Sequence, residues 1–364
     1  KPIIDLIEKD NELDYFLIVT GAHLSKKFGK TINEIKSSKI KIFKSFSMFD
    51  QDYEKNDTGS GMTIAMGKAF INLSKILSDL KVDIILSGFD IAANFAVTVI
   101  GAHMNIPVAH IQGGEVSGTI DESIRHGMSK FSHYHLTANN DSKRRLIKMG
   151  ELKKNIYTVG CPSIDAILNE QELSAEYVLK KIKIDINKKY ILILQHPVTS
   201  ETELIFYQIN ETIKALKSYG LQKLVIFPNN DAGASRIIKK IKSSNINHVS
   251  TLTLPEYKTL LKYCSVLVGN SSSGIHEALS FQKPVVNIGT RQNGRLKPKN
   301  IIDVKHNSLA IKKAIDKSLY DKNFLAKIKK LKNPYGDGNS ALRIISILKK
   351  LNLDKNKLQK QITY

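Results

Sequence analysis

The sequence predicts an α/β fold made of two Rossmann-like domains, each built on a parallel sheet. Three observations carry that expectation. The chain has 364 residues, more than the roughly 250–300 at which a single hydrophobic core ordinarily stops growing. Short apolar runs alternate along it with longer helix-period segments, the pattern of βα units. Glycine- and hydroxyl-rich stretches follow several of those runs directly, where doubly wound domains bind their ligands.

In the first half, strands are expected at 15–20, 40–46, 84–87, 107–111, 135–138 and 156–159, with helices at 63–80, 90–103, 123–131 and 139–149. The chain opens on a helix-like segment, and the break between halves falls at 160–168. In the second half, strands are expected at 190–194, 224–227, 248–252, 266–268 and 285–288. Helices are expected there at 201–219, 235–243, 255–263, 274–280 and 308–318. A last helix, 341–351, can cross back onto the first domain. The expected domains are therefore 1–165, joined by the C-terminal segment 341–364, and 166–340, the latter binding the nucleotide.

Composition removes several function classes. Hydrophobic residues make up 42% and charged residues 24%, ordinary values for a globular chain and not for a disordered one. The longest apolar stretch, 84–111, is interrupted by Asp90, Asn94, His103 and Asn105, so no membrane span is expected. No secretory signal is apparent, and the two cysteines, Cys161 and Cys264, sit in apolar surroundings. Two buried thiols in a reducing cytoplasm are expected, not a disulfide framework. The net charge is +21, but only seven of the 55 basic residues are arginine and the lysines are spread along the whole chain. No basic stretch is interleaved with aromatic residues as a stacking platform for nucleic acid requires. The excess reads as a solvated lysine surface that also attracts anionic substrates.

The densest motif is Gly269-Asn270-Ser271-Ser272-Ser273-Gly274-Ile275-His276-Glu277. It follows an apolar run and opens a helical segment. Glycine and hydroxyl residues at a helix start offer unpaired N–H groups, hydroxyl donors and a favourable dipole to a diphosphate. Glu277, about a turn further on, is placed to accept from ribose hydroxyls. A serine N-cap is the plainer reading, but capping needs one serine and not three. A second cluster runs from His110-Ile111-Gln112-Gly113-Gly114-Glu115 to Asp121-Glu122-Ser123-Ile124-Arg125-His126. Its carboxylates, Glu115, Asp121 and Glu122, lie in and beside a glycine-rich loop and suit a site that moves protons. The structural alternatives are Asp121 as an N-cap and Glu122 with Arg125 as a surface pair.

His196, in Gln195-His196-Pro197, stands at a strand terminus, where an imidazole can donate to a diphosphate or shuttle a proton. Pro228-Asn229-Asn230-Asp231 reads as a loop that closes a cleft or caps a helix. Gly289-Thr290-Arg291-Gln292-Asn293-Gly294-Arg295 holds two of the seven arginines, suited to bidentate contact with phosphate. His133 and His135 lack neighbouring cysteines or carboxylates at ligand spacing, so no metal site is expected.

Seven motifs, HIQGGE…GTIDESIRH, GCPSID, LQHPVT, FPNNDAG, GNSSSG, NIGTRQNGR and NPYGDGN, occur in order over most of the chain. Together they resemble the hydrolysing UDP-N-acetylglucosamine 2-epimerases of sialic acid biosynthesis and their relatives that act on diacetamido sugars for legionaminic-type acids. The resemblance implies a GT-B arrangement of two Rossmann-like domains around a central cleft, a homodimer or homotetramer, a UDP-sugar substrate and no cofactor. It also implies elimination of the nucleoside diphosphate to a 2-acetamidoglycal, then addition of water with inversion at C2. Matched position by position, Asp90, Asp121 and His196 fall on the family's catalytic residues. Ser271, Ser272, Glu277 and Arg291 fall on its nucleotide-binding positions; Asn230, Asn270, Ser273 and Gly274 join these as neighbouring candidates.

Two departures stand out. Phe89-Asp90-Ile91-Ala92-Ala93 replaces a Gly-Asp-Arg-aromatic-acidic run, keeping only the aspartate. Gln112 occupies the position of a catalytic glutamate, and an amide cannot take its proton; Glu115 or Glu122 can stand in. The resemblance also places a first strand and an arginine-containing loop ahead of Lys1. Two alternatives remain beside the hydrolysing epimerase: a non-hydrolysing epimerase of the same fold, and a non-catalytic sugar-nucleotide binder.

Overall fold

A computed structural model describes residues 1–364 except 26–29, 50–57, 89–91, 230, 354–357 and 364. The chain divides into two compact units. The first comprises Lys1–Val116, Ile120–Ala166 and Tyr335–Tyr364; the second comprises Ser117–Thr119 and Ile167–Pro334.

In the first unit, a parallel pair, β1 (Leu17–Val19) and β2 (Ile42–Ser45), stands apart from a four-stranded parallel sheet. That sheet runs in the order β3 (Ile85–Gly88), β4 (Val108–Ile111), β5 (Tyr134–Thr137), β6 (Ile156–Thr158). All four residues of β4 are buried, as a parallel strand covered on both faces requires. The helix Gly59–Ser78 turns Ala65, Ala69, Leu73 and Leu77 inward, against Ala96 and Ile100 of the helix Ala92–His103. It starts four residues earlier than its apolar period suggests, because Thr58 accepts the N–H of Gly61 at 3.0 Å and caps it. The chain returns to this unit at Tyr335, whose carbonyl accepts the N–H of Cys161 at 2.7 Å. The helix Ser340–Leu348 then joins the core at Ile344. Both cysteines are buried and unpaired, and burial pushes the Cys264 thiol up to about 12.

The second unit carries six parallel strands in the order β12-β11-β10-β7-β8-β9. Their ranges are β7 Tyr190–Leu194, β8 Gln222–Ile226, β9 Asn247–Val249, β10 Val266–Gly269, β11 Val285–Ile288 and β12 Ile301–Val304. This is the doubly wound order. Apolar clusters cover both faces, one around Ile193, Val268 and Ile315, the other around Leu192, Leu260 and Leu267.

Several elements differ from expectation; the helix Pro162–Asn169 fills the stretch read as the break between halves, and the helix Ile32–Ser37 is additional. β12 is a strand that the sequence pattern does not announce. The single helix expected over 201–219 is a 3₁₀ turn, Thr199–Leu204, followed by the helix Ile205–Lys217. The break falls at Glu201, with φ −125° and ψ 32°, whose carboxylate takes hydrogen bonds from Gln208 Nε2 and Thr290 Oγ1. The helix expected over 274–280 is the five-residue Ser272–His276 followed by a 3₁₀ turn, Ala278–Phe281. Among the described residues no helix is long and apolar enough to cross a membrane.

Candidate functional site

In the second unit the chain leaves β7 toward β8 and β9, then crosses back to build β10, β11 and β12 on the other side. β7 and β10 therefore flank the topological switch point, and ligands of such sheets bind at the carboxyl ends there. Those ends carry Gln195-His196 and Asn270-Ser271-Ser272.

Close approach of the two strands depends on Gly269. Its φ is +137°, and a Cβ there would lie 1.9 Å from the Leu194 carbonyl oxygen. Next to it, Asn270 donates its N–H to that same oxygen at 3.0 Å. The Asn270 side chain closes the end of the seam: His196 N–H donates to its Oδ1 at 2.7 Å, and its Nδ2 donates to the His196 carbonyl at 2.9 Å. Its own carbonyl accepts from Gln292 Nε2 (2.8 Å) and Arg291 Nη1 (3.4 Å). Arg291 also pairs with Asp231 through Nη2 at 3.1 Å, and its side chain is 11% exposed. The end of β11 is thus tied to the ends of β7 and β10. Ser117–Thr119 docks here too, with Gly118 donating to the Arg291 carbonyl at 3.0 Å.

The His196 ring is held by Asn229, which donates its backbone N–H to Nδ1 (3.2 Å) and places its side-chain oxygen 2.9 Å from the same nitrogen. Burial, and then the nearby Arg291 guanidinium, lower the His196 pKa from 6.5 to about 4, so the ring is neutral at pH 7. Because this value lies below that of an unfolded histidine, the unfolded chain binds more protons between pH 4 and 6.5. The contribution to stability is therefore complete above about pH 6.5 and is lost as the pH falls toward 4. Thermal melts from pH 7 to pH 4 are expected to fall less steeply for a His196→Gln variant than for the native chain. Identical falls would assign the acid sensitivity to other groups.

The three serines divide their work. Ser271 is the N-cap of the helix Ser272–His276, its Oγ accepting Ser273 N–H at 3.3 Å. Ser273 turns inward and donates to Glu277 Oε2 at 2.7 Å, while Tyr257 OH bonds to Ser273 Oγ. Ser272 is half-exposed, and its hydroxyl has no protein hydrogen bond among the described residues. The helix is only five residues long, so its dipole offers less than the sequence reading supposed; fixed charge comes from Arg291.

In the first unit, Gln112 follows β4 in the left-handed region, φ +60°, and is 3% exposed. Its Nε2 donates to Glu115 Oε1 at 3.1 Å, so these two candidates are in direct contact. Arg125 is buried and donates to the Glu115 carbonyl at 3.1 Å. This corrects the surface pair considered for Glu122 and Arg125: Glu122 instead lies 3.7 Å from His126 Nε2, one turn along. Asp121 and Glu122 form the acidic first turn of the helix Asp121–Phe131, both half-buried. Asp90 and Asn230 lie outside the described residues. Asp231, Gln292, Asn229 and Tyr257 were not singled out from the sequence, although the first three lie in motifs already marked. No group of three His, Cys, Asp or Glu able to hold a metal ion occurs among the described residues.

The strand order and the polar cluster at its switch point define a doubly wound α/β protein. Its kinship is more specific than that. The chain belongs to the UDP-N-acetylglucosamine 2-epimerase family, whose profile matches residues 5–349. It is 34% identical to the UDP-N,N'-diacetylbacillosamine 2-epimerase (hydrolyzing) of Legionella pneumophila, covering 100% of this chain and 95% of that one. It is 33% identical to a UDP-N-acetylglucosamine 2-epimerase of Neisseria meningitidis (87% and 83% covered). It is 34% identical to the GDP/UDP-N,N'-diacetylbacillosamine 2-epimerase (hydrolyzing) of Campylobacter jejuni (83% and 80% covered). Among solved structures, UDP-GlcNAc 2-epimerase from Neisseria meningitidis bound to UDP-GlcNAc superposes with a TM-score of 0.80 at 20% identity, over 96% of this chain and 95% of that one. The Methanocaldococcus jannaschii enzyme in complex with UDP-GlcNAc and UDP gives 0.78 at 20% identity, with 96% and 95% covered. These likenesses show the fold, the GT-B class of two Rossmann-like units with parallel sheets.

Proposed function

We propose that this chain is a hydrolysing 2-epimerase of UDP-linked 2-acetamido sugars. The observation that carries the reading is end-to-end likeness to a relative described as hydrolysing, at 34% identity over the whole chain. The switch-point chemistry supports it: Arg291, the Ser272 hydroxyl and a neutral His196 offer one fixed positive charge and polar contacts to a leaving diphosphate. Glu277, held by Ser273, accepts from the ribose hydroxyls.

In the first step Asp121 takes the C2 proton while the C1–O bond breaks. The electron pair of the C–H bond becomes the C1–C2 double bond, and UDP leaves with the electrons of the C1–O bond. In the second step Glu122 or Glu115, protonated, delivers its proton to C2 on the opposite face while water adds its oxygen to C1. The proton that water loses returns to that carboxylate, and Asp121 releases the original C2 proton to solvent. Gln112 orients Glu115 through its amide and carries no proton itself. A diacetamido substrate is the second reading, favoured by the descriptions of the Legionella and Campylobacter relatives. The substrate is expected in the cytoplasm, where nucleotide sugars are made.

Incubation with UDP-N-acetylglucosamine in D2O, followed by proton and phosphorus NMR, tests the reading. Free UDP and a 2-epimeric sugar deuterated at C2 are expected. An intact, epimerised UDP-sugar would make the enzyme non-hydrolysing, and UDP binding with no turnover of either acetamido or diacetamido substrates would make it a binder. Ser272→Ala is expected to weaken UDP binding about tenfold by calorimetry, the worth of one hydrogen bond to a charged group. An unchanged affinity would remove Ser272 from the diphosphate site.

A further inference from the structure

We propose that Asn270 is a positioning residue: it touches no nucleotide, and its side chain fixes the backbone of His196 while its carbonyl anchors the Arg291 loop. The proposal rests on the epimerase reading for what His196 does, but its geometry stands apart from that reading. The amide is 1% exposed. Among the described residues each half has one partner, and both partners belong to the same residue: His196 N–H donates to Oδ1 at 2.7 Å, and Nδ2 donates to the His196 carbonyl at 2.9 Å. A primary amide bonded to both the N–H and the C=O of one residue restrains that residue's translation along the strand and its rotation about it. Pro197 follows immediately and has no N–H with which to tie the turn to a neighbour. The His196 ring, by contrast, is gripped among the described residues at Nδ1 alone, by the exposed Asn229.

On its other side the Asn270 carbonyl receives Gln292 Nε2 at 2.8 Å and Arg291 Nη1 at 3.4 Å, and Gln292 is 1% exposed. One residue at the end of β10 therefore fixes the spacing between the imidazole after β7 and the guanidinium after β11. Sub-ångström placement of groups that act on a leaving group is worth orders of magnitude in rate. Alanine removes the amide and leaves the carbonyl, so it separates the two roles. Aspartate has nearly the same shape. Ionised, its carboxylate accepts the His196 N–H but offers no donor to the His196 carbonyl; protonated, it restores that donor. The charged and titratable groups facing this position are His196, Arg291 and, through Arg291, Asp231.

The test measures UDP release from UDP-N-acetylglucosamine, UDP affinity by calorimetry, and the ring-nitrogen NMR shifts of His196 in the ligand-free protein, for the native chain, Asn270→Ala and Asn270→Asp. For Asn270→Ala, kcat is expected to fall 10- to 100-fold with UDP affinity within threefold of native. For Asn270→Asp the deficit in kcat, relative to the native chain at each pH, is expected to shrink on acidification as the carboxyl takes its proton. Loss of UDP affinity with kcat retained, or a deficit equal at every pH, would overturn the proposal. Should the native chain fail to turn over its sugar nucleotide, the epimerase reading falls while the NMR arm still decides: displaced His196 ring signals in both variants support Asn270 as the positioning group, and unmoved signals overturn it. The near-isosteric aspartate variant keeps the test open if alanine does not fold.

Discussion

Asp121→Asn is expected to lower kcat roughly 10³-fold while leaving UDP affinity within about threefold of native, because general acid–base catalysis supplies about 10²–10⁴-fold and an amide cannot take a proton. The substitution changes shape very little. Asp121 occupies the first turn of the helix Asp121–Phe131, where a carboxylate gains about 0.3–1 kcal/mol from the helix dipole. Loss of that small amount does not unfold a domain, so a fall in rate at unchanged melting temperature isolates the chemical role. The case for Asp121 over Glu122 and Glu115 is its place in the motif GTIDESIRH, where it falls on a catalytic position of the family the sequence resembles. Kinetics of UDP release, with C2 exchange in D2O as a second readout, check the expectation. Native rates in the variant would move the base to Glu122 or Glu115.

Much of the fold was legible because buried parallel strands read as unbroken apolar runs. Val108-Ala109-His110-Ile111 and Tyr190-Ile191-Leu192-Ile193-Leu194 are buried at every position, and each stood out against helix-period neighbours. β12 did not, because Ile301-Ile302-Asp303-Val304 is an edge strand of four residues with an exposed aspartate, too short for a period to show. The kink at Glu201 was hidden for a different reason: what breaks the helix there is a carboxylate bonded to Gln208 and to Thr290, distant in sequence. At the site, the GNSSSG motif announced itself, but the division of labour among its serines did not. Whether a hydroxyl caps, supports a carboxylate or faces solvent depends on where Tyr257 and Glu277 arrive in space. Asp231 and Gln292 were missed on the same grounds, since each acts from one strand end upon another.

Gly269→Ala is expected to be the most damaging single change in the second unit. The added Cβ would lie 1.9 Å from the Leu194 carbonyl oxygen and 2.5 Å from its carbon, with the Gln195 nitrogen at 3.2 Å. All three are backbone atoms of β7 and its continuation, so no side chain can rotate away to make room. The backbone angle, φ +137°, adds strain of about 1–3 kcal/mol for any residue other than glycine. Relief requires β10 to part from β7 at its carboxyl end, which breaks the 3.0 Å hydrogen bond from Asn270 to Leu194 and leaves a buried donor unsatisfied at a further cost of about 1–3 kcal/mol. Together these are a large fraction of a typical stability of about 5–15 kcal/mol. At about 2–4 °C per kcal/mol for a unit of this size, the melting temperature should drop by roughly 4–24 °C. Separation at this seam also displaces the Asn270 carbonyl that anchors Arg291 and Gln292, so UDP affinity should fall at least tenfold even well below the melting point. Calorimetric melts and UDP titration of the same preparation read both effects. A melting temperature within about 2 °C of native would mean that the two strand ends are held less tightly than a glycine-only contact implies, and the spacing of the switch-point groups would then have to be set by the Arg291 loop instead.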